Sequence, residues 1–185
     1  MNVPFRAAVA LLLMLAAAAG HSRDIPPVVQ AQGTLQAAFT PGDDIEALVV
    51  DAIEGARRQV LVQAYLLTSK KIAFSLVAAH RHGVDVRVLV DADQLERTES
   101  SAAPALAAEG IPVWLETKYQ NAHNKVIVID PDGPNATVIT GSFNFTWTAQ
   151  HKNAENVLIA RKNPALAARY AQNWERHMQD AMPYK

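Results

Sequence analysis

The chain has 185 residues and no cysteine. Disulfides are excluded, so the fold must rest on its core and hydrogen bonds, in an oxidising compartment as much as in a reducing one. Neither sign of charge is in excess: 17 Lys and Arg against 18 Asp and Glu give a formal net charge of −1. That counts against broad, non-specific attraction to nucleic acid, which calls for a basic footprint, but it leaves room for a local basic rim. A long apolar run is also missing. The stretch Ala7 to Ala19 is shorter than the roughly 20 residues a membrane-spanning helix needs. No internal repeat is visible.

What the N-terminus does carry is the pattern of a targeting segment. Arg6 precedes the apolar stretch and Ala17-Ala18-Ala19 offers a small-residue cleavage site. A secretory signal is expected over residues 1–22, cleaved between Ala19 and Ser22, with retention as an N-terminal anchor the alternative. Residues 23–33, with Pro26-Pro27, read as a linker, and residues 34–185 as one domain. Export to the periplasm or beyond follows, with no stable membrane insertion after cleavage.

Within 34–185, strand and helix patterns alternate. Leu35, Ala37 and Phe39 fall on one face of a first strand. Thr40 and Pro41 read as the cap and first residue of a helix with Ile45, Leu48, Val49, Ala52 and Ile53 on its core side. Strands are expected at 59–66, 84–90, 111–115 and 155–160. Helices are expected at 69–82, at 98–109, and after Asn163-Pro164, the last with Leu166, Tyr170, Trp174 and Met178 along one side. The class is therefore α/β: a layered α/β/α sandwich with a mixed, largely parallel central sheet.

The chemistry concentrates in His123-Asn124-Lys125, the apolar run Val126 to Ile129, Asp130, Gly141-Ser142-Phe143-Asn144 and Glu155-Asn156. Val126 to Ile129 is β-branched throughout and suits a strand buried on both faces. Pro131 to Asn135 makes a turn, Ala136 to Thr140 a return strand, and Gly141 would let backbone approach a ligand. Residues two apart on a strand face the same way, so His123 and Lys125 project together. An imidazole beside an ammonium, with Ser142 and Asn144 at the next strand end, sets a nucleophile against an anion cradle. Cleaving a phosphodiester requires those parts.

The pattern H-x-K-x4-D followed by G-S-x-N resembles the phospholipase D superfamily, and most closely its short bacterial endonucleases with one motif per chain. The resemblance runs from about Phe39 to Trp174 and includes Ala64-Tyr65, Gly83-Val84-Asp85-Val86, Gly110-Ile111-Pro112 and Lys152 to Asn156. The gap Pro131 to Thr140 is longer than the family's usual one and reads as a lengthened turn. The resemblance implies the same layered fold and a reaction through a phosphohistidine that needs neither metal nor other cofactor.

It also implies catalytic parts for His123, Lys125, Asp130 and Glu155. Lys125 and Asn144 would hold phosphate oxygens, and Ser142 would either donate to phosphate or fix its loop. Glu155 would orient the His123 ring, as the third member of a triad does. Asp130 completes the motif but lies a strand length from His123, which favours a structural part. No second H-x-K is present, so a two-fold homodimer is expected to bring two copies of His123 into one site. Lys118, Tyr119 and Trp147 are candidates for a substrate rim, Trp147 for core packing as readily. Asp91-Ala92-Asp93 reads as a loop start, and His80, His82, His151 and His177 lack metal-ligand spacing. The expected activity is metal-independent endonucleolytic cleavage of DNA or RNA without sequence preference. A lipid phosphodiesterase or phosphatidyltransferase is the alternative.

Overall fold

Val60, Leu61 and Val62 are all buried, and they point alternately to two different cores. That alternation places their strand, β2 (Gln59–Ala64), at the middle of a sheet covered on both sides. The computed structural model describes residues 25–185, so the expected signal segment lies outside the described residues. Residues 25–32 form no regular element.

In chain order the remaining elements are β1 (Thr34–Thr40), α1 (Ile45–Glu54), α2 (Lys70–Arg81), β3 (Asp85–Asp91), α3 (Ala92–Arg97), α4 (Ala103–Ala108) and β4 (Val113–Glu116). Then come β5 (Lys125–Ile129), β6 (Thr137–Gly141), α5 (Trp147–His151), β7 (Glu155–Arg161), α6 (Pro164–Asp180) and β8 (Met182–Pro183). The strands form one sheet in the order β1-β7-β6-β5-β2-β3-β4-β8. It is mixed, as the sequence implies, but parallel pairing is confined to β2–β3 and β3–β4. The short link β5–β6 forces an antiparallel pair, and β2–β5, β6–β7, β1–β7 and β4–β8 are antiparallel too, so the parallel share is smaller than expected.

On one face, Ile45, Val49 and Ile53 of α1 and Ile72 and Leu76 of α2 pack on Val60, Val62, Val88 and Ile127. On the other, Ala167, Ala171 and Trp174 of α6 cover Leu61, Leu89, Val126 and Val128. The Trp174 indole donates to the Val62 carbonyl at 2.8 Å, which removes the cost of burying its N–H. No helix among the described residues is long and apolar enough to cross a membrane.

Three local expectations are corrected. Thr40 does not cap a helix; it ends β1, and Asp44 caps α1 by accepting from Ala47 N at 2.9 Å. The Thr40 hydroxyl instead donates to Asn153 O and accepts from Glu155 N, both at 3.0 Å. Asp91-Ala92-Asp93 opens a helix, α3, with Asp91 as its cap on Gln94 N. The alanine-rich helix is shorter than 98–109 because it begins only at Ala103, with Pro104 in its first turn.

Candidate active site

The C-terminal ends of β1, β2, β3, β4 and β6 and the N-terminal ends of β5 and β7 all lie at one end of the sheet. His123 is exposed there, two residues before Lys125 opens β5. Its ring lies against Tyr65, with centroids 4.4 Å apart. Lys125 is buried, donates through Nζ to the His123 carbonyl at 3.0 Å, and sits 4.7 Å from the centroid of the same Tyr65 ring. The two groups expected to work together thus share one aromatic surface.

Their environment sets their charge. Partial burial pulls the Lys125 ammonium down to about 8, with the negative charges of Glu155 and Asp91 opposing it. Burial, and then the charge of Lys125, lower His123 below the ordinary imidazole value, with Asp91 acting the other way. The imidazole is therefore neutral at neutral pH, the form that can attack phosphorus, beside an ammonium that is still largely protonated.

Ser142 and Asn144 reach this end because Phe143 and Phe145 alternate with them and are both buried. Phe145 also bridges to Leu67, and its backbone N–H donates to the Leu66 carbonyl. Oδ1 of Asn144 is buried and has no hydrogen-bond partner among the described residues. The Ser142 hydroxyl is already committed: it donates to Glu155 Oε2 at 2.5 Å and accepts from Asn156 N at 3.0 Å. Of the two parts expected for Ser142, the geometry supports fixing the loop. A Cβ on Gly141 would come within 2.2 Å of the Asn156 carbonyl, so this glycine serves the close pairing of β6 and β7 rather than a ligand's approach.

Glu155 is placed differently from expectation. Its carboxylate accepts from Ser142 and from Asn153 Nδ2 at 2.8 Å, so within one chain it braces the Ser142 loop rather than the His123 ring. Asp130 stands at the far end of β5, about 16 Å from Lys125 at strand rise. It takes a left-handed φ of 48° and accepts from three backbone N–H groups, of Arg57 (2.9 Å), Arg58 (2.7 Å) and Gln59 (2.9 Å). Through these bonds it fastens the start of β2 to the end of β5.

The rim residues separate. Lys118 is paired with Asp180 on α6, which raises its pKa through the hydrogen bond and charge of that carboxylate. The Tyr119 ring lies 5.1 Å from that of His177. Trp147, far from being core, is 57% exposed. Sequence reasoning missed two residues. Tyr65 lies under both site groups, and Asp91, 2% exposed, accepts from Ala122 N at 2.6 Å, one residue before His123. The available signal was position, since Tyr65 follows the last residue of β2 and Asp91 is the last residue of β3, both parallel-paired strands, at whose C-terminal ends sites gather in open α/β sheets. Among the described residues no group of three or more His, Asp or Glu side chains is placed to hold a metal ion.

Residues 49–178 match the family model described as "Cardiolipin synthase, PLD-like domain". The chain belongs to the phospholipase D superfamily. It is 40% identical over 136 residues to a phospholipase D of Rickettsia prowazekii, an alignment covering 74% of this chain and 63% of the relative. It is 31% identical over 129 residues to a mitochondrial cardiolipin hydrolase of Xenopus laevis, covering 70% and 59%. This chain therefore spans under two thirds of the length of each of these relatives. Among solved structures it is similar to the phospholipase D family member Nuc from Salmonella typhimurium, with a TM-score of 0.76 and 32% identity over 82% of this chain and 98% of that one.

Proposed function

We propose that this protein is a metal-independent phosphodiesterase that acts as a nonspecific endonuclease on DNA, at a site shared by two copies of the chain. The observation that carries this reading is the pairing of a neutral His123 with the buried Lys125 on one aromatic ring, in a chain with a single such motif.

In the proposed reaction an imidazole nitrogen of His123 attacks phosphorus and the bond from phosphorus to the leaving oxygen breaks. His123 of the partner subunit, protonated, gives its proton to that oxygen. Water then attacks the phosphohistidine and loses a proton to the partner subunit's His123; the N–P bond breaks and both histidines are restored. Lys125 and the Asn144 amide take up charge on the non-bridging oxygens. A surface for the second copy is available beside the site: Leu35, Phe39 and Leu158 share the face of β1 and β7 that α6 leaves uncovered, at 65, 56 and 41% exposure. The expected signal segment would place the enzyme in the periplasm or outside the cell.

Plasmid nicking in excess EDTA by wild type and His123→Ala tests this reading. Cutting by the wild type alone is expected; no cutting by either protein overturns it. Sedimentation of the active species should give a dimer, and an active monomer would remove the shared site. The relatives named phospholipase D and cardiolipin hydrolase favour a second reading, a lipid phosphodiesterase or phosphatidyltransferase using the same covalent step. Headgroup release from liposomes, without nicking, would establish it.

A further inference from the structure

The chain between Asn144 and Glu155 leaves the site, makes the short helix α5, and returns. Trp147 is three residues after Asn144, and Lys152 is three before Glu155. At a maximal reach of about 3.6 Å per residue, neither backbone can lie more than ~11 Å from that of a site residue. Trp147 is not buried by this excursion; the residue is 57% exposed. The His151 ring lies 4.7 Å from it, tilted by 41°, and Lys152 Nζ lies 5.7 Å from its centroid. Trp147 and His151 also line a shallow cavity of about 420 Å³ with Lys70 and Lys71. Of these cations Lys71 is paired, with the buried Glu46 at 2.9 Å, whereas Lys70 and Lys152 make no ion pair among the described residues.

We infer that Trp147, with Lys152 and Lys70, is a nucleotide subsite that stacks an unpaired base next to the scissile phosphate and so favours single-stranded substrates. This inference rests on the nuclease reading above. A large exposed ring with the Lys152 ammonium over it, and Lys70 in the same cavity, offers a planar base a stacking surface and its phosphates two counter-charges. An indole can stack face to face only with a base that has left its own stack and pair, so the subsite discriminates by strandedness rather than by sequence.

Cleavage of matched single- and double-stranded oligonucleotides by wild type, Trp147→Phe and Trp147→Ala provides the test. The wild type is expected to prefer the single strand by about tenfold, Trp147→Phe to keep most of that preference, and Trp147→Ala to lose it. Quenching of indole fluorescence by a single-stranded oligonucleotide should disappear in Trp147→Ala. A strand preference unchanged in Trp147→Ala overturns the subsite while leaving the nuclease reading intact; absence of cleavage of either strand by the wild type overturns the nuclease reading itself. Loss of binding to anionic vesicles in Trp147→Ala, with oligonucleotide cleavage unchanged, would assign the ring to a membrane and overturn the inference.

Discussion

Asp91 Oδ2 accepts the backbone N–H of Ala122 at 2.6 Å, and so a buried carboxylate at the end of one strand holds the segment that delivers His123. Its other oxygen caps α3 through Gln94 N at 2.9 Å. The same negative charge acts on both His123 and Lys125. On the proposed mechanism Asp91 is a positioning residue: it touches no reacting atom, yet it holds the segment that carries His123 and adds to the charge that residue feels.

Replacing Asp91 with Ala removes a helix cap and a second buried hydrogen bond, a loss of about 2–3 kcal/mol in denaturant unfolding. Asp91→Asn keeps one acceptor and loses the charge. Because the carboxylate raises both neighbouring pKa values, its neutralisation should move both limbs of the pH–rate profile to lower pH. A merely structural part for Asp91 would reduce the amount of active protein and leave the limbs in place.

The wild-type profile should be bell-shaped. His123 must be neutral to attack, and its pKa lies below the ordinary imidazole value, so the acid limb should fall at a pH under about 6.5. On the alkaline side two charges are lost in turn: the proton of the partner subunit's His123, which the leaving oxygen needs, and then, above about 8, the Lys125 ammonium that holds phosphate, so activity should decline in two stages. Activity still rising at pH 9 would show that the Lys125 charge is not needed. Lys125→Arg, which keeps its charge at higher pH, should shift the alkaline limb upward in whatever activity it retains.

Asp130→Ala should separate stability from chemistry. It strands three backbone N–H groups, and a destabilisation of about 3 kcal/mol is expected in urea unfolding. Turnover per folded molecule should stay within about twofold of the wild type, as the residue stands at the opposite end of β5. A fall in turnover as deep as that of His123→Ala, in protein shown to be folded, would return Asp130 to the site.

Much of this was legible in the sequence because it depends on local pattern. The β-branched run Val126 to Ile129 gave β5, the stripe Ile45, Val49, Ile53 gave the buried side of α1, and Asn163-Pro164 marked the start of α6. What was not legible depends on partners distant in the chain. Thr40 looks like a helix cap until β7 arrives 115 residues later to occupy its hydroxyl. Glu155 looks free to orient a histidine until Ser142 claims it. Asp91 could not be told from an ordinary loop acid, because its meaning lies in the N–H of Ala122, 31 residues on.

Lys125 and His123 differ in how they are held. Lys125 is part of a five-residue strand at the heart of the sheet, whereas His123 belongs to the irregular stretch before it, tethered by bonds such as Asp91 to Ala122 and Tyr65 to Asn121. On the proposed mechanism the phosphate-holding ammonium is thus anchored in the central sheet, while the attacking imidazole sits on an irregular segment that is expected to open at lower cost. Moderate urea should then erase cleavage while the far-ultraviolet signal of the sheet is still whole. An enzyme arranged in this way carries an off state within its folded form.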